Sequence, residues 1–115
     1  MNKNFSFPKN RRLLLKTEFQ SVFDHSKKVS HPYFLVLYHP NQLNHAKLGV
    51  IIGKRIAKTA VRRNMFKRIV RESFRTHQEK INGFNIIVMA RQGYNTTDKQ
   101  KLREGIDRLW EKLKI

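Results

Sequence analysis

Apolar residues recur along the chain at two spacings, which separate strands from helices. Three runs rich in aliphatic and aromatic side chains predict strands, at Tyr33–Tyr38, Lys47–Gly53 and Phe84–Ala90. The first run is apolar on both faces, so we expect it at the centre of a sheet that is covered on two sides. A shorter strand is expected at Lys27–Val29, before a turn at His31–Pro32.

Apolar residues at helical spacing predict three helices. The expected ranges are Thr17 to about His25, Thr59 to about Gln78, and a cap at Asn95–Thr97 through to the C-terminus. Thr17 and Gln20 fit a capping box at the start of the first helix. The third carries an apolar stripe at Leu102, Ile106, Leu109 and Leu113. The order α-β-β-β-α-β-α predicts an α+β fold, a single-domain α/β sandwich with helices packed on a four-stranded sheet.

Length and composition narrow the class of protein. The 115 residues suit one domain, residues 1–115, with a basic N-terminal arm at residues 1–16. No apolar run approaches the roughly 20 residues of a membrane span, and none has the length of a signal peptide's apolar region. Without cysteine there is no disulfide or thiolate site. We therefore expect a soluble cytoplasmic domain.

Charge points to a partner. Lys and Arg number 25 against 8 Asp and Glu, which gives a formal net charge of +17. Such an excess makes a polyanion the expected partner, nucleic acid before others. The segment Lys54–Arg75 concentrates nine basic residues with one acid, Glu72.

Helical geometry sorts that segment into two faces. At about 100° per residue, Phe66, Ile69, Val70 and Phe74 form an apolar arc. A separate arc collects one amide and four cations, namely Asn64, Lys67, Arg68, Arg71 and Arg75. Like charges four residues apart destabilise a helix. This second arc therefore implies an anion that the sequence does not supply.

The same stretch resembles a known family. Ala60–Arg68 (AVRRNMFKR) followed by Arg71–Arg75 (RESFR) is similar to the signature of the bacterial ribonuclease P protein subunit. The likeness extends to Phe7–Pro8 through Leu14, Glu18–Phe23, Leu48–Val50 with Lys54–Arg55, and Ile87–Arg91. One position departs, because Met65 stands where the family usually has arginine.

The resemblance implies partners and a reaction. The family's protein binds a catalytic RNA, and together they remove the 5′ leader of precursor tRNA by Mg²⁺-dependent hydrolysis. The RNA carries the metal ions, so the protein alone is expected to bind no cofactor and to have no catalytic residue. The implied partners are the catalytic RNA and precursor tRNA, with no membrane and no DNA.

The resemblance also implies two groups of site residues. The group that contacts the RNA subunit would be Arg62, Arg63, Asn64, Lys67, Arg68, Arg71 and Arg75. The group in a cleft for the leader, between the first helix and the sheet, would be Phe19, Phe23, Tyr38, Lys54, Arg55 and Arg91.

The residues themselves offer little catalytic chemistry. The eight acids are spread out with no Asp-x-Asp pair, and Glu104, Asp107 and Glu111 share a helix side with interspersed bases. The five histidines lack the tight spacing of metal ligands, and there is no glycine-rich phosphate loop or nucleophile elbow. This pattern favours a protein that binds while RNA performs the chemistry.

Two other classes remain open from the residues alone. A ribosomal or other structural RNA-binding protein would also account for the charge and the basic helix. A helix-based DNA-binding protein would need a second short helix beside the recognition helix, or a dimer seam, and neither is evident. Processing of precursor tRNA in the presence of catalytic RNA separates these classes.

Overall fold

The computed structural model describes residues 16–53, 56–57, 59–91 and 98–113. The helices are α1 (Lys16–His25), α2 (Ala60–Thr76), α3 (Gln78–Ile81) and α4 (Lys99–Leu109), with a 3₁₀ turn at Trp110–Lys112. The strands are β1 (Lys27–Ser30), β2 (Phe34–Pro40), β3 (Lys47–Ile51) and β4 (Phe84–Ala90). The order of the main elements and the fold class agree with the prediction.

The four strands form one mixed sheet in the order β1-β2-β4-β3. β2 pairs antiparallel with β1 and with β4, whereas β3 and β4 run parallel. The parallel pair is possible because α2 and α3 carry the chain back between them. As predicted, β2 is an inner strand, and it is buried on both faces.

Each face of the sheet has its own core. Residues of β2 and β4 alternate between the two faces, so Phe34, Val36 and Tyr38 face one side while Leu35 and Leu37 face the other. The larger core contains α2 and α4, and its helical members include Phe66, Ile69, Val70, Phe74, Leu102, Ile106, Leu109 and Trp110. The smaller core lies under α1 and is formed by Val22, Leu37 and Ile87.

The helix ends differ from the sequence prediction in detail. Thr59, the expected start of the second helix, is the N-cap of α2, its hydroxyl accepting from the Arg62 backbone N–H at 3.2 Å. α1 begins at Lys16, so Thr17 is not its cap, and Gln20 Nε2 donates instead to Asp24 Oδ1 at 2.9 Å. The predicted cap at residues 95–97 lies outside the described residues. Asp98 caps α4 by accepting from the Lys101 N–H at 2.9 Å.

A buried polar link joins α2 to α4. Trp110, only 1% exposed, donates from Nε1 to Ser73 Oγ at 2.7 Å. The Ser73 hydroxyl in turn donates to the Asp107 carboxylate. His77 Nδ1 donates to the Ser73 carbonyl oxygen at 2.7 Å, just where α2 ends, close to the predicted end at Gln78. The short helix α3 that follows was not predicted from the sequence. The link orients α2 about its own axis, in addition to the apolar packing.

Gly105 allows α4 to approach the turn between β1 and β2. A Cβ atom there would come within 3.0 Å of His31 Cε1. His31 Nδ1 accepts from the Tyr33 backbone N–H at 3.1 Å. Burial, and secondarily the charge of Lys112, lowers the pKa of His31 below its usual 6.5. The imidazole therefore belongs to the packing of this corner in its neutral form.

Replacing Trp110 tests the polar link. The variant Trp110→Phe should lower the free energy of unfolding by about 1–3 kcal/mol, because a buried hydrogen bond is lost and the site is underfilled. Urea unfolding followed by circular dichroism measures the change, since the variant has no tryptophan fluorescence. In a double-mutant cycle with Ser73→Ala, the two losses should not add. Full additivity would show that the two side chains are not coupled.

Candidate nucleic-acid interface

One side of α2 carries the basic stripe, which we define as Asn64, Lys67, Arg68, Arg71 and Arg75. These side chains, together with Glu72, line a shallow depression of about 350 Å³. The opposite side of the helix is buried through Phe66, Ile69, Val70 and Phe74. The two arcs predicted from helical spacing are therefore confirmed as two faces. The apolar face is fixed on the sheet, so the stripe points away from it.

The first turn of α2 belongs to a different environment. Arg63 Nη1 donates to the Ala57 carbonyl oxygen at 2.9 Å and so ties the preceding segment to the helix. Arg62 is half-exposed beside the Thr59 cap. Neither arginine lines the depression of the basic stripe in the described part of the chain. Met65, at the position where the resemblance expects arginine, packs partly buried against the larger core.

α1 has an apolar flank that is left partly open. Val22 is completely buried beneath the helix, whereas Phe19 is half-buried and Phe23 is 47% exposed. Like Phe19, the partly buried residues Leu35, Ile51 and Met89 of the sheet pack against the smaller core. We call this margin, from Phe19 and Phe23 to those three sheet residues, the apolar flank. It places two aromatic rings of the predicted cleft on one side of the helix.

Tyr38 lies elsewhere, which corrects the sequence expectation. Its side chain is on the other face of the sheet, 5% exposed, with its ring edge against Phe84 at 5.4 Å between centroids. The register of β2 brings Leu35 and Leu37 to the α1 face instead. A run that is apolar at successive positions does not indicate which residues face which layer, and a shift of one residue exchanges them.

Of the three basic residues predicted in the leader cleft, the structure describes one. Lys54 and Arg55 lie outside the described residues. Arg91 is exposed directly after β4, and its backbone N–H donates to the Tyr33 carbonyl oxygen at 3.0 Å. Because β3 and β4 are parallel neighbours, the chain leaves both strands at the same end of the sheet, at Gly53 and at Arg91. Arg91 is thus at the end of the sheet nearest the Leu35–Met89 pair.

Polar residues on the α1 face were missed by sequence reasoning. His39, Asn85 and Lys47 are neighbours across three strands in the paired register. Lys47 Nζ donates to Glu18 Oε2 of α1 at 2.7 Å. The signal that could have found them is Asn85, a single polar residue within an otherwise apolar, fully covered strand.

The described residues form neither a metal-ion cluster nor a membrane-spanning helix. No group of three or more His, Asp and Glu side chains is placed there to hold a metal ion. No helix in the same ranges has the length and apolar character required to cross a membrane.

Comparison with known proteins gives the family. A family model described as Ribonuclease P matches residues 7–114. The ribonuclease P protein component of Azotobacter vinelandii is 39% identical over 108 residues, covering 93% of this chain and 83% of that protein. That of Idiomarina loihiensis is 40% identical over 114 residues, covering 98% and 91%.

Solved structures agree with the sequence relatives. The RNase P protein from Thermotoga maritima superposes with a TM-score of 0.78 at 31% identity, over 90% of this chain and 98% of that one. The resemblance seen in AVRRNMFKR and RESFR is confirmed. The chain belongs to the ribonuclease P protein family.

Proposed function

We propose that this protein is the protein subunit of ribonuclease P, which binds a catalytic RNA and assists removal of the 5′ leader from precursor tRNA. The observation that carries the proposal is the basic stripe, a continuous cationic face on a helix whose other face is buried. Family membership supports the same role.

The chemistry of the stripe suits folded RNA. Lys67 with Arg71, and Arg71 with Arg75, are like charges four residues apart, each pair costing about 0.2–0.5 kcal/mol in an isolated helix. Glu72 is the one acid among the described residues that line the same depression. Phosphate oxygens would relieve this repulsion, and a guanidinium group can bind two of them at once. Asn64 offers both donors and acceptors to a ribose or a base edge.

The apolar flank suits the leader. Unpaired bases stack on exposed aromatic rings with little dependence on sequence, contributing about 1–3 kcal/mol per base. Phe23, the most exposed of the aromatic side chains on α1, offers such a ring. Arg91 lies at the end of the sheet nearest the apolar flank, where its positive charge can bind the phosphate backbone of the leader. The family resemblance alone implies that Lys54 and Arg55 also contact the leader.

The reaction itself is assigned to the RNA subunit. Magnesium ions held by the RNA would supply the activated water and stabilise the leaving oxygen. The protein's residues bind and orient the two RNAs: the stripe holds the RNA subunit, and the apolar flank holds the leader. In this proposal no side chain of the protein accepts or donates a proton in the cleavage step.

Reconstitution tests the proposal. With purified catalytic RNA, adding the protein should increase affinity for precursor tRNA and permit cleavage at a lower Mg²⁺ concentration than the RNA needs alone. Mature tRNA, which lacks a leader, should show no comparable gain in affinity. The measurement is single-turnover cleavage and equilibrium binding across a Mg²⁺ series. No gain in either quantity would favour a structural RNA-binding protein without a processing role.

A charge deletion tests the stripe. Arg71→Ala should weaken binding to the catalytic RNA by about 1–3 kcal/mol, as expected when a charge-assisted contact is lost. Arg108→Ala is the matched control, because it removes the same charge from the exposed side of α4. Filter-binding titration of both variants measures the difference. Equal losses in the two variants would mean that only net charge matters and that the stripe is not a specific contact.

A further inference from the structure

α1 has a second margin, opposite the apolar flank, that neither the stripe nor the leader cleft uses. Viewed along the helix axis, Glu18, Ser21 and His25 fall to one side of the buried Val22, and Phe19 and Phe23 fall to the other. The side of Glu18 and Ser21 lies over the row His39–Asn85–Lys47 of the sheet. We call this margin the polar flank.

The polar flank contains a depression of about 500 Å³. Its floor is the row His39–Asn85–Lys47, and Thr17, Glu18 and Ser21 form one wall. The loop from Pro40 to Leu43 forms the other wall. Gln42 in that loop adopts a left-handed φ of 62°, a conformation that a residue other than glycine keeps only where its surroundings impose it.

Backbone groups determine which way the amide of Asn85 points. The Leu43 backbone N–H requires an acceptor, and Asn41 Oδ1 supplies it at 2.9 Å. The other end of the Asn41 amide, Nδ2, therefore donates to the His45 carbonyl oxygen at 3.2 Å and to Asn85 Oδ1 at 3.0 Å. Since Asn85 presents its oxygen to Asn41, its Nδ2 is left on the side of the depression.

The Nδ2 group of Asn85 has no acceptor among the described residues, although most of the side chain is buried. Asn85 is only 8% exposed, and its Nδ2 donates to no atom of the described residues. The Nδ2 atom is not among the fully buried unpaired polar atoms of the described residues, so it remains accessible from the depression that Asn85 lines. A ligand with an acceptor atom at the floor of the depression can therefore accept a hydrogen bond from it.

The floor of the depression has no net positive charge, which favours a neutral ligand over an anion. Of the described residues that line the depression, Lys47 is the only lysine or arginine, and it is already paired with Glu18 at 2.7 Å. The floor therefore offers a phosphate no net positive charge. A flat group with carbonyl or ring-nitrogen acceptors fits better. The ring of His39 lines the site, and the ring of His25 lies 5.7 Å from it between centroids. Imidazole rings can stack on nucleobases.

We propose that the polar flank binds one unpaired nucleobase of RNA, with Asn85 Nδ2 donating to an acceptor on the edge of the base. The site is separated from the apolar flank by the buried Val22, Leu37 and Ile87. The inference rests on the proposed function, since it requires an RNA partner. The base comes either from the catalytic RNA or from the precursor.

Exchanging the donor for an acceptor tests the proposal. Asn85→Asp retains an oxygen for Asn41 and replaces the free NH₂ with a second oxygen. Asn82→Asp is the matched control, because it makes the same change at an exposed residue that does not line the depression. Two affinities are measured for each full-length variant: protein for catalytic RNA, and reconstituted holoenzyme for precursor relative to mature tRNA.

Asn85→Asp should weaken one of these affinities by about tenfold, the effect of one lost hydrogen bond and a new repulsion. Asn82→Asp should leave both nearly unchanged. A loss in the first affinity identifies the catalytic RNA as the source of the base, and a loss in the second identifies the precursor. Equal behaviour of the two variants in both assays would overturn the inference. Failure of the proposed function is distinct, because the wild-type protein would then not bind catalytic RNA.

A measurement on the unaltered protein keeps the inference testable if Asn85→Asp fails to fold. The side-chain NH₂ resonances of Asn85 are followed by ¹H–¹⁵N NMR during titration with each of the four ribonucleoside 5′-monophosphates. At least one nucleotide should shift these resonances, whereas ribose 5-phosphate should not. No shift with any nucleotide, or an equal shift with ribose 5-phosphate, would overturn the inference.

Discussion

The packing of α2 on the sheet is the interaction from which the remaining surface properties follow. Phe66, Ile69, Val70 and Phe74 bury one side of the helix in the larger core, which is shared with the sheet and α4. The hydrogen bond from Trp110 to Ser73 then fixes its rotation. Because the apolar side cannot turn outward, the cations of the stripe are held together despite their mutual repulsion. The free energy of core packing thus maintains a surface that is complementary to a polyanion.

The two faces of the sheet are covered to different extents. Its larger core, under α2 and α4, is closed and provides stability. On its other face, α1 is the only helix among residues 16–53, 56–57, 59–91 and 98–113, and a single short helix cannot cover four strands. Both margins of α1 are consequently open, one apolar beside Phe19 and Phe23, and one polar beside His39, Asn85 and Lys47. Because α1 is narrower than the sheet face on which it packs, it leaves one groove on each side, the apolar flank and the polar flank.

Periodicity and charge predicted much of this arrangement. The strands at residues 84–90 and 47–51, the apolar stripe of α4 and the two faces of α2 each have a strong local signal. The face of Tyr38 was not predictable, because the residues on either side of it are equally apolar and register is set by pairing with β4. The amide chain from Leu43 through Asn41 to Asn85 depends on contacts between residues distant in sequence. Such contacts leave no periodic pattern, although a lone asparagine in a buried strand is a usable sign.

The central claim is that phosphates of a folded RNA neutralise the basic stripe. The dependence of binding on salt measures this directly, because each neutralised phosphate releases counterions. If about five phosphates are neutralised, the logarithm of the association constant for catalytic RNA should fall against the logarithm of salt concentration with a slope of about −4. A slope close to zero would contradict the claim.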